Sequence, residues 1–277
     1  MTSFWRRFSR NAGAVIGLAV LAVVILVALF ASLMFSTSPW QMVGPPLLLP
    51  FEEQGFALGT DMLGRDIAAG LAHGARVSLL VGVVSTGCAV VIGVAFGTLA
   101  GYFGGAVEHA LMSVTEFFQT IPQLAMAVVL VAIFTPTLES IVIAIALVSW
   151  PPVARLVRAE VLSLREREFV EAAIVLGRPT RAIIFGEILP NAISPVIVAA
   201  SLIVATAILT EAALSFLGLG VPPPLPSWGL MIAEAKDYMF FSPWVIVIPG
   251  VALFVLVLGI NLLGDGLRDL FGARTDP

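Results

Sequence analysis

A phosphate-binding loop that hydrolyses nucleotide places a lysine at the end of a glycine-rich turn. Lys236 is the sole lysine in the 277 residues and follows no such turn, so the chain is expected to carry no ATPase site of its own. A zinc protease needs two histidines four apart on one helix with a glutamate beside the first. His73 and His109 are far apart, and no metal site is expected. No nucleophile elbow, Cys/His pairing or set of carboxylates on one helix face is present, so no catalytic residue is expected. The single cysteine, Cys88, lies in an apolar run and reads as packing. Glu116 and Glu211 border long apolar runs, where an ionisable group is costly enough to suggest a role. In the order of elements set out below, however, each falls near a helix end, within reach of water.

Composition explains this shortage of chemistry. The chain is 59% hydrophobic and 12% charged, against about 25% charged for a soluble domain. That excludes an ordinary water-soluble enzyme and a disordered chain. A net charge of −4 offers no basic surface for nucleic acid. The solvent to consider is the lipid bilayer, and the charged residues divide the sequence into intervals comparable with the ~20 residues that span it.

Six intervals qualify, which predicts an all-α membrane protein. Residues 12–35 are uncharged and hold fourteen Val, Ile, Leu or Phe, worth roughly −4 to −8 kcal/mol of insertion free energy. The run is too long for a cleaved leader and reads as a retained first helix. A second helix is expected from Val77 to Ala100, after Arg76, and a third between Glu116 and Glu139. A fourth lies between Glu139 and Arg155 and is expected to end at Trp150-Pro151-Pro152. The fifth runs from Ile193 to Glu211 and the sixth from Pro243 to Gly264. Arg6, Arg7, Arg10, the six arginines from Arg155 to Arg181, Arg268 and Arg274 share one side, against Arg65, Arg76 and Lys236 on the other. Eleven against three predicts that residues 1–11 and 268–277 are cytoplasmic. Residues 36–76 are then an extracytoplasmic segment with room for a short surface helix, and 77–267 form the transmembrane core. Ser227-Trp228-Gly229 begins an expected interfacial helix, with Trp228 and Trp244 at headgroup level.

Two smaller patterns concern packing. Gly93, Gly97 and Gly101 recur every four residues, fall on one helix face and let another backbone come close. In the cytoplasmic loop of residues 155–187, Phe169, Ala172, Ala173 and Leu176 follow i, i+3, i+4, i+7 spacing and give a short helix one apolar face. Gly177 is a natural stop and Pro179 suits the start of the next helix. Such a helix can lie along the membrane surface or dock into a groove of a soluble partner.

The same residues carry a resemblance. Glu171-Ala172-Ala173, then Gly177, then Leu189-Pro190 resembles the EAA loop of the membrane subunits of bacterial ATP-binding cassette (ABC) importers. Glu187 stands where the general pattern prefers an apolar residue. Leu58-Gly59-Thr60-Asp61, Gly64-Arg65-Asp66, Ala213-Leu214-Ser215-Phe216-Leu217-Gly218 and Asn261-Leu262-Leu263-Gly264-Asp265 are similar to the second permease subunit of the dipeptide, oligopeptide and nickel importers. This resemblance implies a type I importer fold of six helices. It also implies a homologous second permease, two cytoplasmic ATPase subunits holding ATP and Mg, and an extracytoplasmic solute-binding protein. By the same resemblance Glu171, Ala172, Ala173 and Gly177 form the ATPase-coupling turn, and Leu189 and Pro190 set the return into the bacterial inner membrane. The expected function is half of an ATP-driven path for dipeptides or oligopeptides, with a nickel-chelate importer as the alternative. An autonomous ion-coupled transporter would instead call for inverted repeats and charged midplane sites, which the sequence does not display.

Overall fold

The computed structural model describes residues 6, 8–135 and 137–272, with side chains to Leu270. Arg7 and Arg274, counted in the charge asymmetry, lie outside the described residues. The described residues form helices α1 (Ala12–Met34), α2 (Ile67–Phe103), α3 (Gly105–Thr120), α4 (Gln123–Ile133), α5 (Leu138–Arg165), α6 (Glu168–Val175), α7 (Thr180–Phe216), α8 (Trp228–Ala235) and α9 (Trp244–Gly272). Five of these, α1, α2, α5, α7 and α9, are long and apolar enough to cross a bilayer, and α3 with α4 makes a sixth span if the bent pair is counted as one.

Several boundaries differ from the sequence expectation. Helix α2 begins at Ile67, ten residues before Val77, because Asp66 caps it by accepting from the Ala68 amide at 2.9 Å. The stretch Gly64-Arg65-Asp66 thus opens this helix. No separate surface helix lies among residues 36–66, which form turns and two isolated bridges, Met42 with Arg65 and Thr60 with Asp66. Arg76 sits inside α2 and donates to the carbonyls of Ala28 and Leu29 and to the Ser32 hydroxyl. Its charge is thereby spent on the carbonyl-rich end of α1.

The third span is broken. It starts at Gly105, and the chain bends by 89° between α3 and α4 at Ile121-Pro122. Helix α5, in contrast, passes through Pro151 and Pro152 and continues to Arg165. A proline removes only the bonds its own amide would make, and neighbouring helices hold the flanking turns in place. Helix α7 begins at Thr180, includes a π-helical turn at Ile184–Ile188 and runs on past Glu211, while α9 continues beyond Gly264 to Gly272. Cys88 faces outward on α2, so its role is not core packing.

Helices α2 and α5 make the most extensive contact, and the Gly93, Gly97, Gly101 stripe lies in it. A methyl added at Gly97 would fall 2.5 Å from the Ala154 carbonyl, and one at Gly93 would fall 2.5 Å from Val153 Cβ. At Gly101 it would fall 2.9 Å from the Arg158 carbonyl. Across this seam α5 buries Ile141, Ile145, Trp150, Val153, Val157 and Val161. Helix α1 packs on α9 by the same device, since a methyl at Gly17 would fall within 2.4 Å of the Gly259 carbonyl. Gly97→Val is expected to cost about 1–3 kcal/mol through overpacking, seen as a lower unfolding temperature in detergent. Gly87→Val, on the same helix with no atom within 4 Å, is expected to leave that temperature unchanged.

Candidate functional site

Helix α6 is a two-turn helix projecting beyond the end of α5. Its carboxyl end closes in a Schellman motif: the Gly177 amide donates to the Ile174 carbonyl at 2.9 Å and the Arg178 amide to the Ala173 carbonyl at 3.1 Å. The motif needs a left-handed residue, and Gly177 supplies it at φ +69°. Val170 and Ala173 point inward and pack with Val153, Val157, Ile183 and Val196. Phe169, Ala172 and Leu176 point outward, which corrects the expected single apolar face. Only Ala173 of that set is buried. The helix is apolar on two sides, and periodicity does not say which side α5 occupies.

The outward side of α6 is unusually apolar for an exposed helix. Val175 is 86% and Leu176 80% exposed, and Phe169 and Ile174 are also open. Glu171 stands among them, exposed as well. An uncovered apolar patch of this kind marks a surface that meets another chain or the membrane.

The loop returns through the π-helical turn, and here Glu187 finds its partner. Its Oε1 accepts from Arg178 Nη1 in an ion pair that ties the turn after Gly177 to the base of the spanning part of α7. Asn191 Nδ2 donates to the Glu187 carbonyl at 2.6 Å. Leu189 and Pro190 follow immediately, where the α-helix resumes after the π-helical turn. The acidic residue at a position where an apolar one is the rule is therefore matched by the arginine nine residues before it.

A second cluster sits at the opposite end of the bundle. Arg65 is bonded to Asp61 and, at 2.5 Å, to Glu234, and its guanidinium lies 4.9 Å from the Trp40 ring centroid. Burial works against the Arg65 charge, but hydrogen bonding to Glu234 and the charges of Asp61 and Glu234 outweigh it and raise its pKa. The group fixes the extracytoplasmic segment of the sequence reading to α8. Glu211, expected to reach water, is fully buried. Its Oε1 accepts from Ser215 at 2.7 Å and from Ser227, the cap of α8, at 2.8 Å, while Oε2 has no partner. Trp228, expected at headgroup level, is 4% exposed and donates from Nε1 to the Leu71 carbonyl at 2.8 Å. These residues hold α8 against α7 and α2. Sequence reasoning missed this cluster because the contacts that assemble it join residues as far as 157 and 169 positions apart.

The described residues thus form a bundle of membrane-length helices with a short, outwardly apolar helix beyond the end of α5. An inward-facing structure of the MetNI methionine ABC transporter shares this fold, with a TM-score of 0.58 over 71% of this chain and 94% of that chain at 21% identity. Residues 93–277 match the family model for the binding-protein-dependent transport system inner membrane component, and residues 1–50 match that for the N-terminal TM domain of oligopeptide transport permease C. The chain is 42% identical to the di/tripeptide transport system permease protein DppC of Pseudomonas aeruginosa, covering 97% of this chain and 90% of that one. It is 37% identical to the oligopeptide transport system permease protein OppC of Bacillus subtilis, covering 96% and 88%. The chain belongs to the family of binding-protein-dependent transport system inner membrane components and is a permease subunit of an ABC importer.

Replacing Glu211 by Ala leaves the buried hydroxyls of Ser215 and Ser227 without their acceptor, at a cost of about 1–3 kcal/mol. Thermal unfolding in detergent is expected to show that loss for Glu211→Ala and a smaller one for Glu211→Gln, which keeps an acceptor oxygen.

Proposed function

We propose that the chain forms half of the translocation path of an importer for short peptides and couples it to ATPase subunits through α6. The observation that carries this reading is the outward apolar side of α6, terminated at Gly177 and covered by nothing among the described residues. Glu171 and Ala172 on that side, with Ala173 anchoring the helix and Gly177 closing it, make the coupling turn. Leu189 and Pro190 return the chain to the membrane. The peptide substrate follows from relatives named for di/tripeptide and oligopeptide transport.

The partners in this reading are a homologous permease, two ATPase subunits that hold ATP and Mg, and a solute-binding protein on the far side. In this reading, which the arginine asymmetry supports, both termini and α6 lie in the cytoplasm and Arg65, Trp40 and α8 lie outside. The chain performs no chemistry itself. Nucleotide binding shifts a two-state assembly because the two states differ in affinity for ATP, and α6 carries that bias to the spanning helices through Val170 and Ala173. The Arg178–Glu187 pair stiffens the connection at the base of α7.

Affinity purification of the tagged chain from membranes in mild detergent tests the reading. The native chain is expected to bring down an ATPase and a second permease, and Glu171→Arg is expected to lose the ATPase while keeping the permease. Recovery of the native chain alone, under conditions that preserve other membrane complexes, would overturn it.

In the reconstituted complex, Arg178→Glu and Glu187→Arg are each expected to lower peptide transported per ATP hydrolysed. The double exchange is expected to recover much of that ratio, because it restores the pair with its sign reversed.

A further inference from the structure

A cleft lies between the segment of residues 36–66 and α8, at the end of the bundle away from α6. Its charged lining is Asp61, Arg65, Asp66 and Glu234, three carboxylates around one guanidinium. Arg65 is already engaged by Asp61 and Glu234, so the cleft keeps a surplus of negative charge. Asp66 is the carboxylate with no cation of its own among the described residues: its partners are backbone amides at the start of α2. Burial raises its pKa, and only those amides, of Ala68 and Ala69, oppose the rise. A half-buried carboxylate without a counter-ion is costly, and a cation brought beside it recovers part of that cost.

The rest of the lining is mostly apolar, with Ile67, Leu230 and Met231 along the walls. The space admits the centre of a water over about 40 Å³, room for about three waters at ~10–15 Å³ each. That suits the end of one long side chain. A peptide, with a charged group at each terminus and a side chain on every residue, does not fit, which sets the transported solute aside. Apolar walls with carboxylates beside them suit lysine, whose methylene stem packs on apolar surface while its ammonium seeks charge. This chain does not supply that lysine. Its only one, Lys236, stands 5.8 Å from the Phe216 ring centroid and does not line the cleft.

The walls are already fastened together. Trp40 Nε1 donates to the Pro224 carbonyl at 2.5 Å, and Arg65 ties Glu234 of α8 to the segment, so filling the cleft orders little that is loose. We propose that the cleft receives one lysine side chain of the extracytoplasmic solute-binding protein, with its ammonium beside Asp66 and Glu234 and its stem along Ile67, Leu230 and Met231. This rests on the permease reading above, which puts the cleft on the side from which the binding protein delivers solute. The contact steers docking, because charges of this kind act on the association rate and its dependence on salt.

The test uses intact cells that carry the tagged chain in its native complex. A water-soluble carbodiimide condenses a carboxylate with a neighbouring lysine amine to an amide, and the water lost is taken up by the carbodiimide as its urea. Mass spectrometry of the purified complex then locates the new bond. Because Lys236 is the only lysine here, an amide from Asp66 to any other lysine identifies the partner chain. The expected product joins Asp66 to a lysine of the solute-binding protein. It is expected to vanish in Asp66→Asn, which keeps an oxygen to cap α2. Retention of the binding protein by the purified complex at low salt is expected to fall at least ~5-fold in Asp66→Asn, and added salt is expected to narrow that gap. Absence of the Asp66 amide from complexes that hold the binding protein would overturn the proposal. So would an amide to the second permease, to a lipid amine or to the transported peptide in its place, or unchanged retention in Asp66→Asn. Copurification of the ATPase and the second permease, scored on the same preparation, tests the permease reading separately.

Discussion

The absence of water at membrane depth is the constraint on which the other features depend. Each backbone amide and carbonyl there must be satisfied inside the protein, so the chain is helical wherever it crosses, and departures from the helix carry information. Little hydrophobic force draws the helices together in lipid, and close packing has to do that work. The Gly93, Gly97, Gly101 seam between α2 and α5 achieves it by letting side chains and backbone of α5 approach the bare α2 backbone. The Gly17 and Gly259 contact repeats it at the edge of the bundle.

The remaining polar groups divide according to how this constraint is met. Arg76 meets it with carbonyls of α1, and Glu211 with two serine hydroxyls. Arg65 meets it with two carboxylates. These residues fasten elements that are distant in sequence and leave the chain little freedom at the α8 end. At the other end, the Schellman motif at Gly177 and the Arg178–Glu187 pair keep α6 in fixed relation to α5 and α7.

The arrangement suits a subunit that transmits motion. A short helix with apolar residues on both sides can be anchored by Val170 and Ala173 while offering Phe169, Val175 and Leu176 to a partner. Displacement at that surface reaches α5 and α7 directly, because both contribute to the packing under α6.

The sequence by itself determined the class of solvent, five of the six expected spans, with the bent pair α3 and α4 where the sixth was placed, and the loop that carries α6. These depend on local quantities: the length of an uncharged run, the position of arginines, and the spacing of Glu171, Ala172, Ala173 and Gly177. The glycine stripe was legible for the same reason, since residues four apart share a helix face whatever lies opposite. Tertiary structure decided where helices end when a proline is present, because Pro151 and Pro152 are carried through by packing while Pro122 breaks its span. It also decided that Glu211 and Trp228 are buried and that Glu187 is paired. Their partners come from elsewhere in the chain, and burial depends on what those elements cover, which no single stretch of sequence contains.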